Sequence, residues 1–299
     1  MTTQEPSSIS LASPTGRFAP SPTGPLHYGS LLTAVASYLN IRANNGTWLV
    51  RIDDLDPPRE VPGAANEILH ALETYGLHWD QAVVYQSNRQ QVYSEVLTEL
   101  QDKGLVYPCS CSRKDILERG EHVYSGHCRK HHLAGQKQYA MRIKVPETIL
   151  SWQDLIQGPQ STQLFLANGD FVVRRADGLY AYHLAVVIDD ASQGISENIR
   201  GADLLPSTSA QRYLQQILDI EPPLYGHIPV AVNARGEKLS KQTGAAPITT
   251  SDPERTLVKA LQDLGQTPPG DLDTSSVSDI LRWGQQNWSL DKIPARQTL

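Results

Sequence analysis

An α/β fold built on a parallel sheet is the class this sequence predicts, and three observations carry it. Short apolar runs of strand type alternate with segments of helical period through residues 16–104. The same rhythm resumes near residue 165 and continues to about 250. The first strand-like run ends in a turn rich in Pro, Ser and Gly that feeds a helix, and parallel sheets take their ligands at such carboxyl ends. A chain of 299 residues suffices for one large domain with an insertion and can bury a substantial core.

In order along the chain, residues 1–15 are rich in Ser, Thr and Pro and are expected to form a flexible tail. A short strand is predicted over 16–21. Leu31, Leu32, Val35 and Leu39 then recur at helical spacing, which predicts a helix over 31–43. A second strand over 47–52 is closed by Asp53-Asp54-Leu55-Asp56-Pro57-Pro58. Helices over 64–75 and 89–103 are each stopped by a glycine, Gly76 and Gly104. From 105 to 164 the rhythm breaks into short segments such as 139–145 and gathers all three cysteines, as an inserted subdomain would. Alternation resumes over 170–175, 180–190 and 195–200, followed by a helix over 207–218 and a strand over 228–232. Asp252 as N-cap, Pro253 at the first helical position and Gly265 past the end frame a last long helix. Residues 251–299, with Ile280, Leu281, Trp283 and Trp288, read as a small C-terminal helical segment.

Composition narrows the function classes. No stretch approaches the ~20 apolar residues of a membrane span, and no basic start precedes an apolar run, so neither a membrane protein nor a secretory leader is expected. Three clustered cysteines favour a metal site in a reducing cytoplasm over a disulfide framework. The net charge of −6 does not announce a nucleic-acid binder, although Arg113, Lys114, Arg119, Arg129, Lys130, Lys137, Arg142 and Lys144 form a basic stretch. Charge alone favours a solvated face there over a phosphate-docking patch. A cytoplasmic monomer is the expectation.

The chemistry concentrates in two distant segments. Arg17-Phe18-Ala19-Pro20-Ser21-Pro22-Thr23-Gly24-Pro25-Leu26-His27-Tyr28-Gly29-Ser30 is a small-residue turn that ends in His-x-Gly at a helix start. Small residues let a triphosphate approach the backbone, and the helix offers unpaired N–H groups and a positive dipole end. Lys238-Leu239-Ser240-Lys241-Gln242 places two lysines around a serine in a Gly-flanked loop, a cationic clamp for a pentavalent phosphorus. A buried substrate carboxylate needs a cation, and Arg17 and Arg200, each beside a strand end, are the candidates for a planar two-point contact.

Taken with Val50–Asp56, Val61-Pro62-Gly63-Ala64, Tyr180–Asp190 and Ile199–Leu204, these segments resemble the class I aminoacyl-tRNA synthetases of the glutamyl/glutaminyl branch. The resemblance spans most of residues 16–245. It is strongest to the short paralogues of glutamyl-tRNA synthetase, because the chain stops soon after the lysine loop and carries their cysteine spacing. It implies a Rossmann-like parallel-sheet catalytic domain over 16–104 and 165–250, a zinc-containing insertion over 105–164 and an ATP-dependent ligase.

The residue roles that follow are those the resemblance implies. ATP with Mg²⁺ would lie against Pro20, Ser21, Pro22, Thr23, Gly24, His27, Gly29, Ser30, Ser240 and Lys241. His27, Gly29, Lys238 and Lys241 would carry the chemistry. L-glutamate would meet Arg17, Phe18, Ala19, Pro20, Ser21, Asp53, Tyr182 and Arg200, with Asp53 on the α-ammonium. Four positions depart from the pattern: Ser30 stands where the motif has His, Asp53 where the family usually has Glu, Val186 where the glutamyl enzyme typically has Asn, and Ala202 where many relatives have Glu. Cys109, Cys111 and Cys128 would hold zinc tetrahedrally. Chemistry alone leaves the fourth ligand open among His122, His127 and His131, while the resemblance points to Tyr124. The implied acceptor is queuosine in the anticodon loop of tRNA(Asp). Rival readings are a truncated glutamyl-tRNA synthetase charging a tRNA 3′ end, a non-catalytic zinc-bearing RNA-binding module, and a nucleotidyl transferase acting on a small acid.

Overall fold

The computed structural model describes residues 13–130, 138–233, 236, 238–239 and 246–299. The strands are β1 (Thr15–Phe18), β2 (Thr47–Ile52), β3 (Val84–Tyr85), β4 (Val106–Cys109), β5 (Ala140–Ile143), β6 (Ile149–Asp154), β7 (Gly158–Gln163), β8 (Val172–Arg174), β9 (Glu197–Gly201) and β10 (Leu224–Ile228). The helices are α1 (Tyr28–Ala43), α2 (Ala64–Thr74), α3 (Gln90–Asp102), α4 (Arg113–Glu118), α5 (Leu164–Asn168), α6 (Tyr182–Ser192), α7 (Leu205–Ile217), α8 (Pro253–Asp263) and α9 (Val277–Asn287).

Seven strands form the main sheet in the order β3-β2-β1-β9-β10-β6-β7, and every neighbouring pair is parallel except β6 with β7. The chain winds outward from β1 through β2 to β3 on one side, and β9 and β10 fill the other. β1 and β9 therefore flank the point where strand order reverses, which is where an open parallel sheet leaves a crevice.

Helix α1 follows β1 and lies between the sheet and the C-terminal helices α8 and α9. Its apolar residues are accordingly buried on more than one side: Leu31, Leu32, Ala34, Val35, Ala36, Leu39 and Ile41 all lose their solvent contact. Leu257, Leu261, Ile280 and Leu281 of α8 and α9 join the same core as Trp48 and Val50, so the C-terminal segment is helical and packs directly on the sheet's helical layer. Each such side chain contributes about 1.5–3 kcal/mol by leaving water. Gly76 ends α2 at φ +68° and makes room as well: a Cβ there would stand 2.8 Å from Val277 of α9.

The expected 105–164 insertion divides between two sheets. β4 pairs antiparallel with β5, and β5 with β8, which lies beyond residue 164, in a separate three-stranded sheet. β6 and β7 instead extend the main sheet, since Asp154 at the end of β6 accepts N–H bonds from His227, Ile156 and Gln157 and ties the strand to β10. A second core, with Tyr93, Leu97, Met141, Ile143, Leu184 and Leu214, joins the small sheet to α3, α6 and α7.

Most predicted elements lie within two residues of the observed ones. The strand expected over 228–232 runs instead over Leu224–Ile228. Pro229 has no N–H to continue the ladder, and the Val230 N–H turns away to the Gln297 carbonyl. That turn sends Pro229, Val230 and Ala231 along the crevice wall.

Candidate active site at the sheet switch point

The crevice at the carboxyl ends of β1 and β9 has a volume of about 480 Å³. β1 and the turn after it bring Arg17, Phe18, Ala19, Pro20, Ser21 and Thr23. The start of α1 brings His27, Gly29 and Ser30. Asp53 arrives from β2, Tyr182 from α6, Arg200 from β9, and Lys238 with Leu239 from the lysine loop. Thus the two remote segments singled out in the sequence share one cavity. Pro22 lines a neighbouring hollow, and Ser240 and Lys241 lie outside the described residues.

His27 is the N-cap of α1, where its Nδ1 accepts the Ser30 N–H at 3.2 Å. A methyl group on Gly29 would sit 3.3 Å from that imidazole, so the glycine keeps the ring's position open. The Lys238 ammonium pairs with Asp203 at 2.5 Å, at the rim of the same crevice.

Both arginines are buried, Arg17 with 5% and Arg200 with 2% of its surface exposed. Arg17 is gripped two-pronged by Asp190, at 3.1 and 3.0 Å, and donates to Asn198 at 2.8 Å. Arg200 donates to His227, Gln211 and Thr208 at 2.9, 2.7 and 2.7 Å. A guanidinium has five N–H groups. Each arginine therefore keeps one N–H on each terminal nitrogen, the planar pair that a carboxylate accepts.

Asp53 receives the Arg51 Nε–H at 2.7 Å. Burial pushes its carboxyl pKa up, and the attraction of Arg51 offsets only part of that. Arg51, fully buried, also donates to Asp190 at 2.7 Å. Burial likewise opposes ionisation of Asp190, but Arg17 and Arg51 outweigh it and hold that carboxyl below its ordinary range.

Asp190, Arg51, Asn198 and His227 are the residues that sequence reasoning left without a role. A signal existed: Arg51 and Asp190 are charges inside otherwise apolar runs, and a charge in a buried element must be paired. Which partners they take is decided by strands and helices more than a hundred residues apart.

In the small lobe, the sulfurs of Cys109, Cys111 and Cys128 lie within 4.8 Å of one another. Cys111 and Cys128 are 3.5 Å apart, and all three thiols are free. The Tyr124 hydroxyl is 3.8 Å from the Cys111 sulfur and accepts the Cys128 N–H at 2.7 Å. Three soft sulfur donors and one phenol oxygen converge, a set that suits a tetrahedral cation. Burial disfavours the Cys128 thiolate, but hydrogen bonds from Tyr124 and Cys111 outweigh it and bring that thiol below its usual value. Buried Asp170 anchors the cluster by accepting from Tyr107, Arg129 and the Val145 N–H.

Residues 15–295 match the family model of tRNA synthetases class I (E and Q), catalytic domain. The chain belongs to the class I (E and Q) tRNA synthetases. It is therefore an ATP-dependent ligase. Among curated relatives, the glutamyl-Q tRNA(Asp) synthetase of Pseudomonas fluorescens is 50% identical over 93% of this chain and 93% of its own length. That of Neisseria meningitidis serogroup A is 50% identical over 94% of this chain and 97% of its own. In three dimensions the synthetase is similar to a glutamate tRNA ligase of Elizabethkingia meningosepticum, solved in complex with its amino acid. The TM-score is 0.80 at 26% identity, over 95% of this chain and 66% of that one.

Beside the crevice the synthetase has a second hollow of about 870 Å³, which shares Ser21, Thr23, Asp53 and Tyr182 with it. Arg59, Arg113, Arg142 and Arg175 line this hollow, as does Cys111 of the sulfur cluster.

Proposed function

We propose that this synthetase activates L-glutamate with magnesium-bound ATP and transfers the glutamyl group to queuosine in tRNA(Asp). The observation that carries the reading is the shared crevice. It sets His27 and Lys238 beside two buried arginines, each with a matched pair of N–H groups to spare. Relatives half identical over nearly the whole chain support the substrate pair by their names.

Arg17 and Arg200 take the side-chain carboxylate, and Asp53 takes the α-ammonium through the oxygen that Arg51 leaves open. Tyr182 closes over the amino acid. The α-carboxylate oxygen attacks the α-phosphorus of ATP, and the bond to pyrophosphate breaks. The backbone of the 20–24 turn, His27, Gly29 and Ser30 receive the nucleotide; Lys238, Ser240 and Lys241 neutralise charge on the departing phosphates. In the second step a queuosine hydroxyl attacks the carbonyl carbon, AMP leaves and the hydroxyl proton is released. The second hollow, with its four arginines, admits the acceptor. Cys109, Cys111, Tyr124 and Cys128 would hold zinc, which would supply structural bracing to that hollow's wall. No described helix is long and apolar enough to cross a membrane.

Two assays test the reading. Glutamate-dependent ATP–pyrophosphate exchange without tRNA tests activation, run beside Gln and Asp. Transfer of labelled glutamate to queuosine-containing tRNA(Asp), queuosine-free tRNA(Asp) and tRNA(Glu) tests the acceptor. Label only on tRNA(Glu) would favour charging of a 3′ end.

A further inference from the structure

Arg200 differs from Arg17 in the company it keeps. Asp190 neutralises Arg17 directly, whereas the three acceptors around Arg200 are an imidazole nitrogen, an amide oxygen and a hydroxyl, all uncharged. Among the described residues no carboxylate forms an ion pair with it. A buried cation without a counter-charge is expensive. A fully buried acid, Asp154, stands one imidazole away.

The chain of contacts is set by the sheet. His227 on β10 lies directly opposite Arg200 on β9 in the parallel register, and Asp154 at the end of β6 pairs with Tyr225, two residues from His227. Arg Nε–H can only donate, so the His227 Nε2 that accepts it carries no proton. The ring proton therefore sits on Nδ1, where it is held by the Asp154 carboxylate. The other Asp154 oxygen is fixed by the backbone N–H groups of Ile156, Gln157 and His227 at 3.1, 2.9 and 3.1 Å. Gln211 and Thr208 of α7 hold the terminal nitrogens, and the Tyr225 ring lies 4.8 Å from the guanidinium carbon.

We propose that Asp154 and His227 are positioning residues for Arg200. They fix one imidazole tautomer, which aims the guanidinium into the crevice and leaves its positive charge unspent for the substrate carboxylate. A carboxylate in direct contact, as Asp190 makes with Arg17, would orient the arginine equally well but would offset more of the positive charge that attracts glutamate. Placing the acid beyond a neutral ring supplies orientation and partial compensation while keeping the site in need of an anion. The inference rests on the reading of Arg200 as a carboxylate ligand.

The test exploits the two amide mimics of histidine in glutamate-dependent ATP–pyrophosphate exchange. His227→Gln places an amide oxygen near the Nε2 position and can still accept from Arg200. His227→Asn places an amide N–H near Nδ1, keeps Asp154 bonded and leaves Arg200 Nε without an acceptor. Losing a charge-assisted hydrogen bond should raise the KM for glutamate about 10- to 100-fold in His227→Asn. The KM for ATP should move little, and His227→Gln should stay near the parent. Equal damage by both variants, or damage by His227→Gln alone, overturns the relay. Arg200→Met is the control: an unchanged KM for glutamate there refutes the carboxylate reading itself. A raised KM in Arg200→Met with a silent His227→Asn refutes only the relay. Should His227→Asn not fold, ¹⁵N NMR of the parent decides. An unprotonated Nε2 and protonated Nδ1 support the relay, and the opposite tautomer overturns it.

Discussion

Replacing Asp190 by Asn tests the buried charge cluster that shapes the crevice. Asp190 accepts two hydrogen bonds from Arg17, at 3.1 and 3.0 Å, and one from Arg51 at 2.7 Å, with only 2% of its surface exposed. Asparagine conserves the volume but removes the negative charge and turns one acceptor oxygen into a donor facing guanidinium N–H groups. At least one charge-assisted bond is lost, and two buried cations then share only Asp53 and the more distant Asp189 carboxylate, 3.8 Å from Arg51. Breaking a buried pair in this way costs about 3–5 kcal/mol. With a urea slope of roughly 3 kcal/mol per molar, the unfolding midpoint should fall by about 1–1.7 M at pH 7.

The pH dependence has a definite sign. The folded carboxyl titrates below its unfolded value, so its stabilisation is complete above that value and fades as pH falls through the folded one. The gap between parent and variant should therefore be full at neutral pH and begin to close below about pH 4. Urea titrations followed by fluorescence and circular dichroism measure both. Coincident midpoints at pH 7, with the KM for glutamate unchanged, would refute the claim that Asp190 holds Arg17 by charge.

Other outcomes follow from single contacts. Lys238→Ala removes a crevice cation and should lower the maximal rate of pyrophosphate exchange by roughly 10²-fold while sparing the KM for glutamate. Gly29→Ala puts a methyl group 3.3 Å from the His27 imidazole, and the displaced ring should raise the KM for ATP by about 10-fold. Cys111→Ser should abolish retained zinc in elemental analysis and lower the melting temperature, and chelator treatment of the parent should reproduce that loss.

Much of the architecture was legible because local rules agree with the global fold. The helix from Pro253 begins with Asp252 accepting the Arg255 N–H and is followed by Gly265 at φ +73°, as capping chemistry predicts. Where reading failed, one residue usually explains it. Pro229 truncated an apolar run that looked like a strand, and the β6–β7 hairpin joined the main sheet through an aspartate that accepts the His227 N–H of β10. The crevice residues were legible for the same reason: small residues after a strand and a His-x-Gly turn are local features.

The sequence by itself determined the alternating fold, the Pro/Gly turn with its His-x-Gly end, the cysteine set and the candidate arginines, because each depends on spacing within one segment. Only the tertiary structure decided which charges neutralise which. Asp190 spends the charge of Arg17, whereas Arg200 reaches its acid through His227. Those pairings join β1 to α6 and β6 to β9 across long stretches of chain. Burial strengthens electrostatics between groups that only folding brings together, and no local pattern records which groups those will be.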